Sequence, residues 1–237
     1  TGKRINSAAD DAAGSAIAST MTADIRGLTQ AVRNSNDALS LLQTADGALI
    51  ETTNMLQRMR ELAVQATSGT YSTKQLSYND KEYQALLLQI GKVATETKWN
   101  GITTGAVNAF TFGASGNAST TVAVSTVATD VAGLALTGSM VTTEALGTTA
   151  VGLVDAALDI VNGQRAALGA GVNQLTYAGD NMQNIATNTA ASRSRIEDTD
   201  YAVATTTLAK TQIIQQAATA MLAQANQQPQ SVLALLK

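Results

Sequence analysis

Two apolar seams at seven-residue spacing constrain what this chain can fold into more than any other feature. Counting in sevens from Met21 gives Met21, Leu28, Ser35, Leu42, Leu49, Leu56 and Ala63. Counting from Val154 gives Val154, Val161, Leu168, Leu175, Met182, Thr189, Ile196 and Val203. Each seam gives a helix one stripe that water does not tolerate and that another helix must cover. From about Asp10 to Ser68 there is no proline, and apolar spacings alternate between three and four through Ile17, Met21, Ile25, Leu28 and Val32. A partner row through Leu39 slips by one to Ala45, Thr52 and Met59, the drift of 3.6 residues per turn against a repeat of seven. A single helix over this range would run about 80–90 Å at 1.5 Å per residue. Gly27 and Gly47 each weaken it by about 1 kcal/mol relative to Ala without breaking it.

Composition narrows the function classes. Hydrophobic residues make up 45% of the 237 but aromatics only 3%, so the apolar content is Ala, Leu, Val and Ile. Such side chains suit close helix–helix seams better than a thick globular core. With no His and no Cys, the chain lacks the commonest general base, the commonest transition-metal ligands, thiol nucleophiles and disulfides. A net charge of -3 argues against nucleic acid, which needs a basic footprint. No run of about 18 apolar residues occurs, so no membrane span is expected. The chain begins at Thr1 rather than Met, which reads as a fragment and leaves export signals unjudged.

Local signals place the elements. Ser7 followed by Asp10 and Asp11 reads as a helix start with Ser7 as cap. Ser68-Gly69-Thr70 ends that helix, and Ser72 or Thr73 opens a second with Leu76, Tyr83, Leu86, Ile90 and Val93 on one face. It ends near Trp99-Asn100-Gly101, and the short connection makes the two helices antiparallel. From Gly105 to Thr149 the composition turns to Thr, Val, Ala, Gly and Ser, with strand-like Phe110-Thr111-Phe112 and Thr121–Ser125 and with Gly138 and Gly147 punctuating the exit. The helical seam resumes near Ala150, runs past Val203 and shifts register after Lys210 to Ile214, Ala217 and Met221. Pro229 is expected to interrupt it, leaving the apolar tail Val232–Lys237 with nothing earlier in the chain to cover it. The expected fold is mainly α: an elongated, antiparallel, coiled-coil-like bundle with a small β-containing insertion at one end. Its parts are 1–104, the N-terminal half of a helical rod; 105–149, a short variable β-rich insertion; 150–209, the C-terminal half of the rod; and 210–237, a terminal segment unpaired in this chain.

Several motifs, taken together, resemble the bacterial flagellins. Arg4-Ile5-Asn6-Ser7-Ala8-Ala9-Asp10-Asp11-Ala12-Ala13-Gly14 is similar to the family's N-terminal signature, as is Gly27-Leu28-Thr29-Gln30-Ala31. Leu56-Gln57-Arg58-Met59-Arg60-Glu61-Leu62-Ala63-Val64-Gln65-Ala66 resembles its most recognisable helix, with Met59 where Val is usual, and Trp99-Asn100-Gly101 stands where the family has Phe-Asn-Gly. Ser194–Ala202, Lys210–Ala217 and Leu222–Gln230 are similar to the C-terminal motifs. The resemblance implies an exported subunit stacked with other flagellin subunits into the extracellular flagellar filament, with terminal helices forming the shaft and the central region projecting outward. It implies an export chaperone, no cofactor and no enzymatic activity. The family's first helical segment, which precedes the Arg-Ile-Asn-Ser motif and pairs with Thr211–Lys237, is not in this sequence, so the chain is expected to stay monomeric at moderate concentration.

Candidate functional residues follow from the seams and the resemblance. The seam positions expected to be buried are Leu28, Leu42, Leu49, Leu56, Leu168, Leu175, Met182 and Ile196. Arg58, Leu62 and Glu82 match positions through which flagellins engage the flagellin-sensing toll-like receptor of animals. As receptor or subunit-interface candidates they are weighed against a plainer reading that takes precedence, in which Arg58, Arg60 and Glu61 form a solvated face and Leu62 faces the core or is buried between subunits. A surface adhesin or glycan-binding relative is the alternative, resting on the insertion and on Tyr71, Tyr78 and Tyr83, of which Tyr83 reads as core. Glu197, Asp198 and Asp200 lack calcium-loop spacing and read as a solvated helix face. Gly169-Ala170-Gly171 and Gly91-Lys92 lack the remainder of any nucleotide motif. Asn117-Ala118-Ser119 is a formal sequon with little weight.

Overall fold

The computed structural model describes residues 2–104, 109–113, 121–125 and 128–235. Four helices are present: α1 (Ala12–Ala66), α2 (Thr73–Glu96), α3 (Glu144–Glu197) and α4 (Tyr201–Leu235). Between α2 and α3 lie two antiparallel hairpins, β1 (Lys98–Trp99) with β2 (Ile102–Thr103), and β3 (Ala109–Gly113) with β4 (Thr121–Ser125). The Asn117-Ala118-Ser119 triplet lies outside the described residues, as do Leu236 and Lys237. The chain divides into two compact units, Asp24–Thr187 and a second made of Thr1–Ala23 with Asn188–Lys237.

The Asp24–Thr187 unit is organised by the two seams. Leu42, Leu56 and Ala63 of α1 and Val154, Val161, Leu168 and Leu175 of α3 are buried in one core cluster, with Leu49 beside them. Ion pairs at Arg60–Asp155 and Arg165–Asp46 show the direction: partner numbers rise along α3 as they fall along α1, so the helices are antiparallel. Helix α2 joins the same core through Leu76, Tyr83, Leu87 and Ile90, and Ala94 is buried one turn further on. Leu87 and Ala94 take the buried places expected of Leu86 and Val93, because alternating steps of four and three follow the 3.6-residue turn more closely. A capping box fixes the start of α2: Ser72 Oγ accepts from Gln75 N, and the Gln75 side chain accepts from Ser72 N. Further along α1 only two helices meet, and Leu28 and Ala31 form a small second cluster with Met182 and Ala186.

The stretch between the hairpins and α3 differs from the expected variable insertion. Leu134, Leu136 and Val141 are fully buried in the main core cluster. One helical turn over 131–134 is closed by Ala135 at φ 55°, with Leu136 N donating to Val131 O and Ala135 N to Ala132 O. That is a Schellman ending with Ala where Gly is usual. Asn100 (φ 49°) and Gly101 (φ 82°) form the two-residue turn of the first hairpin, so Trp99-Asn100-Gly101 is a hairpin as well as a helix stop. Gly147 does not punctuate the exit; it lies inside α3, where a Cβ would meet Ala66 Cβ at 3.0 Å and Ala63 O at 3.2 Å. Its role is close approach of α3 to α1.

The second unit corrects three expectations. Asp11, not Ser7, caps α1: Asp11 Oδ1 accepts from Gly14 N (2.9 Å). The Asp10 carboxylate is committed to the preceding turn, accepting from Ser7 N (2.8 Å) and Asn6 N (3.0 Å), and these bonds hold its pKa below the usual value. The helix expected to run unbroken past Val203 stops at Glu197. Residues 2–4 lie across that end, with Arg4 N donating to Glu197 O (2.7 Å), Thr199 N to Gly2 O (3.0 Å) and the Arg4 guanidinium to Ile196 O (2.8 Å). Lys3 pairs with Glu197. Basic groups at a helix C-terminus meet its orphan carbonyls and the negative end of its dipole. Asp200 then caps α4, its Oδ1 accepting from Ala202 N (3.0 Å). Glu197, Asp198 and Asp200 therefore sit at a helix junction rather than on one helix face. Finally, α4 continues through Pro229 to Leu235; a proline inside a helix removes one hydrogen bond and can kink the element without ending it.

Two predictions follow from the seam. Leu56, with no exposed surface, loses about 2–5 kcal/mol of unfolding free energy on change to Ala in denaturant titrations. Gly47→Ala, where the new methyl meets nothing within 4 Å, gains up to about 1 kcal/mol from helix propensity. Gly147→Ala forfeits that gain against the α1 backbone and melts below Gly47→Ala.

Candidate functional site

Helix α4 carries an unusual surface. Among its 35 residues the single charge is Lys210. Tyr201, Val203, Leu208, Ile213, Ile214, Met221 and Leu222 are all solvent-exposed, from 55% for Ile214 to 71% for Met221. At 100° per residue, Val203, Ile214 and Met221 share one line, Tyr201, Leu208 and Leu222 lie on a second side, and Ile213 falls between them. A helix apolar on several sides is one that becomes enclosed. The threonines add to this. Thr205, Thr206, Thr207 and Thr211 donate their hydroxyls to carbonyls one turn back, at Tyr201, Ala202, Val203 and Thr207, which turns their polar atoms inward. Among the described residues no helix is long and apolar enough to cross a membrane.

The second candidate lies in the Asp24–Thr187 unit, where α1 faces α2. Arg58 Nε donates to Glu82 Oε1 (2.8 Å) and its terminal nitrogen to Glu61 Oε2 (2.8 Å). These bonds, Glu82's foremost, push the Arg58 pKa up, so the guanidinium stays charged at any working pH. Arg60 binds Asp155 of α3 at 2.6 and 3.5 Å. All these groups are half-exposed, so they set helix register more than they add stability. Leu62, one turn beyond Arg58, is 1% exposed and belongs to the core. The structure thus brings Arg58 and Glu82 together on the surface and separates Leu62 from them. Of the seam residues, Leu28, Leu42, Leu49, Leu56, Leu168, Leu175 and Met182 are buried, and Ile196, beside the α3–α4 junction, is half-buried. Among the described residues no group of His, Cys, Asp or Glu is arranged to hold a metal ion.

One polar cluster carries little signal in the sequence. Tyr83, buried on α2, shares a hydrogen bond with Ser139. Asp80 Oδ1 accepts from Val141 N (2.9 Å), and Gln84 Nε2 donates to Ser139 O (2.8 Å). These bonds fasten the 136–141 segment to α2. Their only sequence signal is the polar run of α2 between its buried positions.

Comparison with known proteins decides between the readings of this geometry. The profile of the bacterial flagellin N-terminal helical region matches residues 1–104, and that of the C-terminal helical region matches residues 151–236. The chain belongs to the bacterial flagellins. It is 39% identical to a flagellin of Halalkalibacterium halodurans, over all of this chain and 89% of that protein. It is 36% identical to the flagellar filament 33 kDa core protein of Treponema phagedenis, again over all of this chain and 89% of the relative. The crystal structure of Bacillus cereus flagellin superposes with a TM-score of 0.57 and 32% identity, over 68% of this chain and 94% of that one. A flagellin is a structural protein, not an enzyme, and its place is the bacterial flagellum.

Burial raises the Tyr83 pKa above 10, with Asp80 adding to the rise and the Ser139 hydrogen bond opposing it. In ultraviolet difference titration the Tyr83 phenol is expected to ionise above the usual tyrosine range. Because the folded-state pKa is raised, the associated stability is complete below about pH 10, the unfolded value, and is lost as pH rises through the folded one.

Proposed function

We propose that this flagellin is a self-assembling structural subunit of the flagellar filament and that α4 is the surface buried when subunits stack. The observation that carries this reading is the nearly uncharged helix whose large apolar residues, on several sides, are more than half exposed. Hydrophobic burial of that kind is non-directional and proportional to area, so it rewards enclosure by more than one neighbour. The same surface is where an export chaperone would shield the unassembled subunit. A contact with the flagellin-sensing toll-like receptor would fall on the exposed Arg58–Glu82 pair, since Leu62 is in the core. The glycan-binding alternative is not favoured: Tyr83 is buried, Tyr71 accepts a hydrogen bond from Gln65, and Tyr78 lies under the Lys81 ammonium.

Ile214→Glu and Met221→Glu test the assembly surface. Both variants keep the helicity and melting behaviour of the parent, because both side chains are mostly exposed, and both lose filament growth by sedimentation and electron microscopy. Filaments growing at the parental rate from both variants would remove α4 from the interface.

A further inference from the structure

We infer that the junction of α1, α2, α3 and the β1–β2 hairpin is a binding site for one structural water. A cavity of about 20 Å³ for water-sized occupants lies there. That volume suits a single molecule, which requires roughly 10–15 Å³ on this measure together with two to four polar partners. Four polar side chains from four segments line it: Thr52 of α1, Thr104 after β2, Thr129 of the following segment and Gln164 of α3. Each is more than nine-tenths buried, at 3%, 5%, 7% and 6% exposure.

Two of these groups are prepared to accept. Thr52 Oγ1 spends its hydrogen on Ala48 O (3.0 Å), and Thr104 Oγ1 spends its hydrogen on Thr97 O (3.2 Å). A hydroxyl oxygen that donates still has lone pairs to accept with. A water has two hydrogens to give, one for each threonine. Dry protein cavities are lined by apolar groups; here apolar side chains, Leu49 and Leu168 among them, form most of the wall, and Thr52 and Thr104 supply the polar partners a water needs. The bridged groups matter for the architecture. Thr104 N and Oγ1 both bond to Thr97 O and so close the base of the hairpin. A water shared with Thr52 ties that base to the α1 seam, one turn from Leu49 and Leu56.

A crystal structure of the full chain at a resolution that places ordered solvent tests the site. The expected result is one isolated peak within about 2.7–3.2 Å of both Thr52 Oγ1 and Thr104 Oγ1. Thr52→Val, which keeps the shape and removes the acceptor, loses that peak and lowers the melting temperature; where this variant fails to fold, Thr104→Val makes the same test from the other side. A parental map with no peak in the cavity, or with the two hydroxyls bonded directly to each other, overturns the inference. So does a Thr52→Val structure in which the peak persists unchanged.

Discussion

The antiparallel burial of the α1 stripe against the α3 stripe is the interaction on which the Asp24–Thr187 unit depends. Neither helix could keep its row of leucines and valines in water, and burial returns about 25 cal/mol for each Å² of apolar surface covered. Long helices are otherwise marginal in isolation, since their stability comes from packing an apolar face more than from propensity. The ion pairs Arg60–Asp155 and Arg165–Asp46 flank the stripe on its exposed margins and select its register. Everything else in the unit is laid over this pair. Helix α2 covers it along one stretch, and Leu134, Leu136 and Val141 close the remaining gap.

Along α1 the seam changes character. Between the two core clusters sits Ser35, buried at 2% exposure with no hydrogen-bond partner for its hydroxyl. An unsatisfied buried polar group costs about 1–3 kcal/mol, and a small residue there replaces the leucine that the repeat would otherwise supply. The main cluster, with three helices, is dense in aliphatic side chains; the second, with two, is built of Leu28, Ala31, Met182 and Ala186. Local opening follows local contact density, so the two-helix stretch opens more readily than the three-helix stretch.

What the sequence made legible was whatever local spacing controls. The seams, the Ser72 cap, the end of α1 at 66 and the strand character of 109–113 and 121–125 all follow from periodicity and turn chemistry. What it hid was decided by partners distant in sequence. The α3–α4 break looked like continuous helix because Asp198-Thr199-Asp200 sits in helical periodicity; the deciding groups, Lys3 and Arg4, come from the other end of the chain. Leu134, Leu136 and Val141 were hidden in a Gly- and Thr-rich stretch whose anchors, Asp80 and Gln84, lie on α2. Gly147 looked like punctuation, although a closely approaching backbone explains it better. At the candidate site, the apolar register of α4 could be read in part through Ile214 and Met221, whereas the exposure of its apolar residues on several sides could not.

The position of Trp99 has a consequence of its own. It is the single tryptophan of the chain, half-buried in the first hairpin and packed against the main core cluster. Its indole emission therefore reports whether that hairpin is seated on the core it packs against. Fluorescence and circular dichroism followed side by side on one sample thus divide the molecule optically: the indole tracks the three-helix core, and the far-ultraviolet signal includes every helical residue. Any gap between the two curves during polymerisation or heating belongs to helix that the tryptophan does not see.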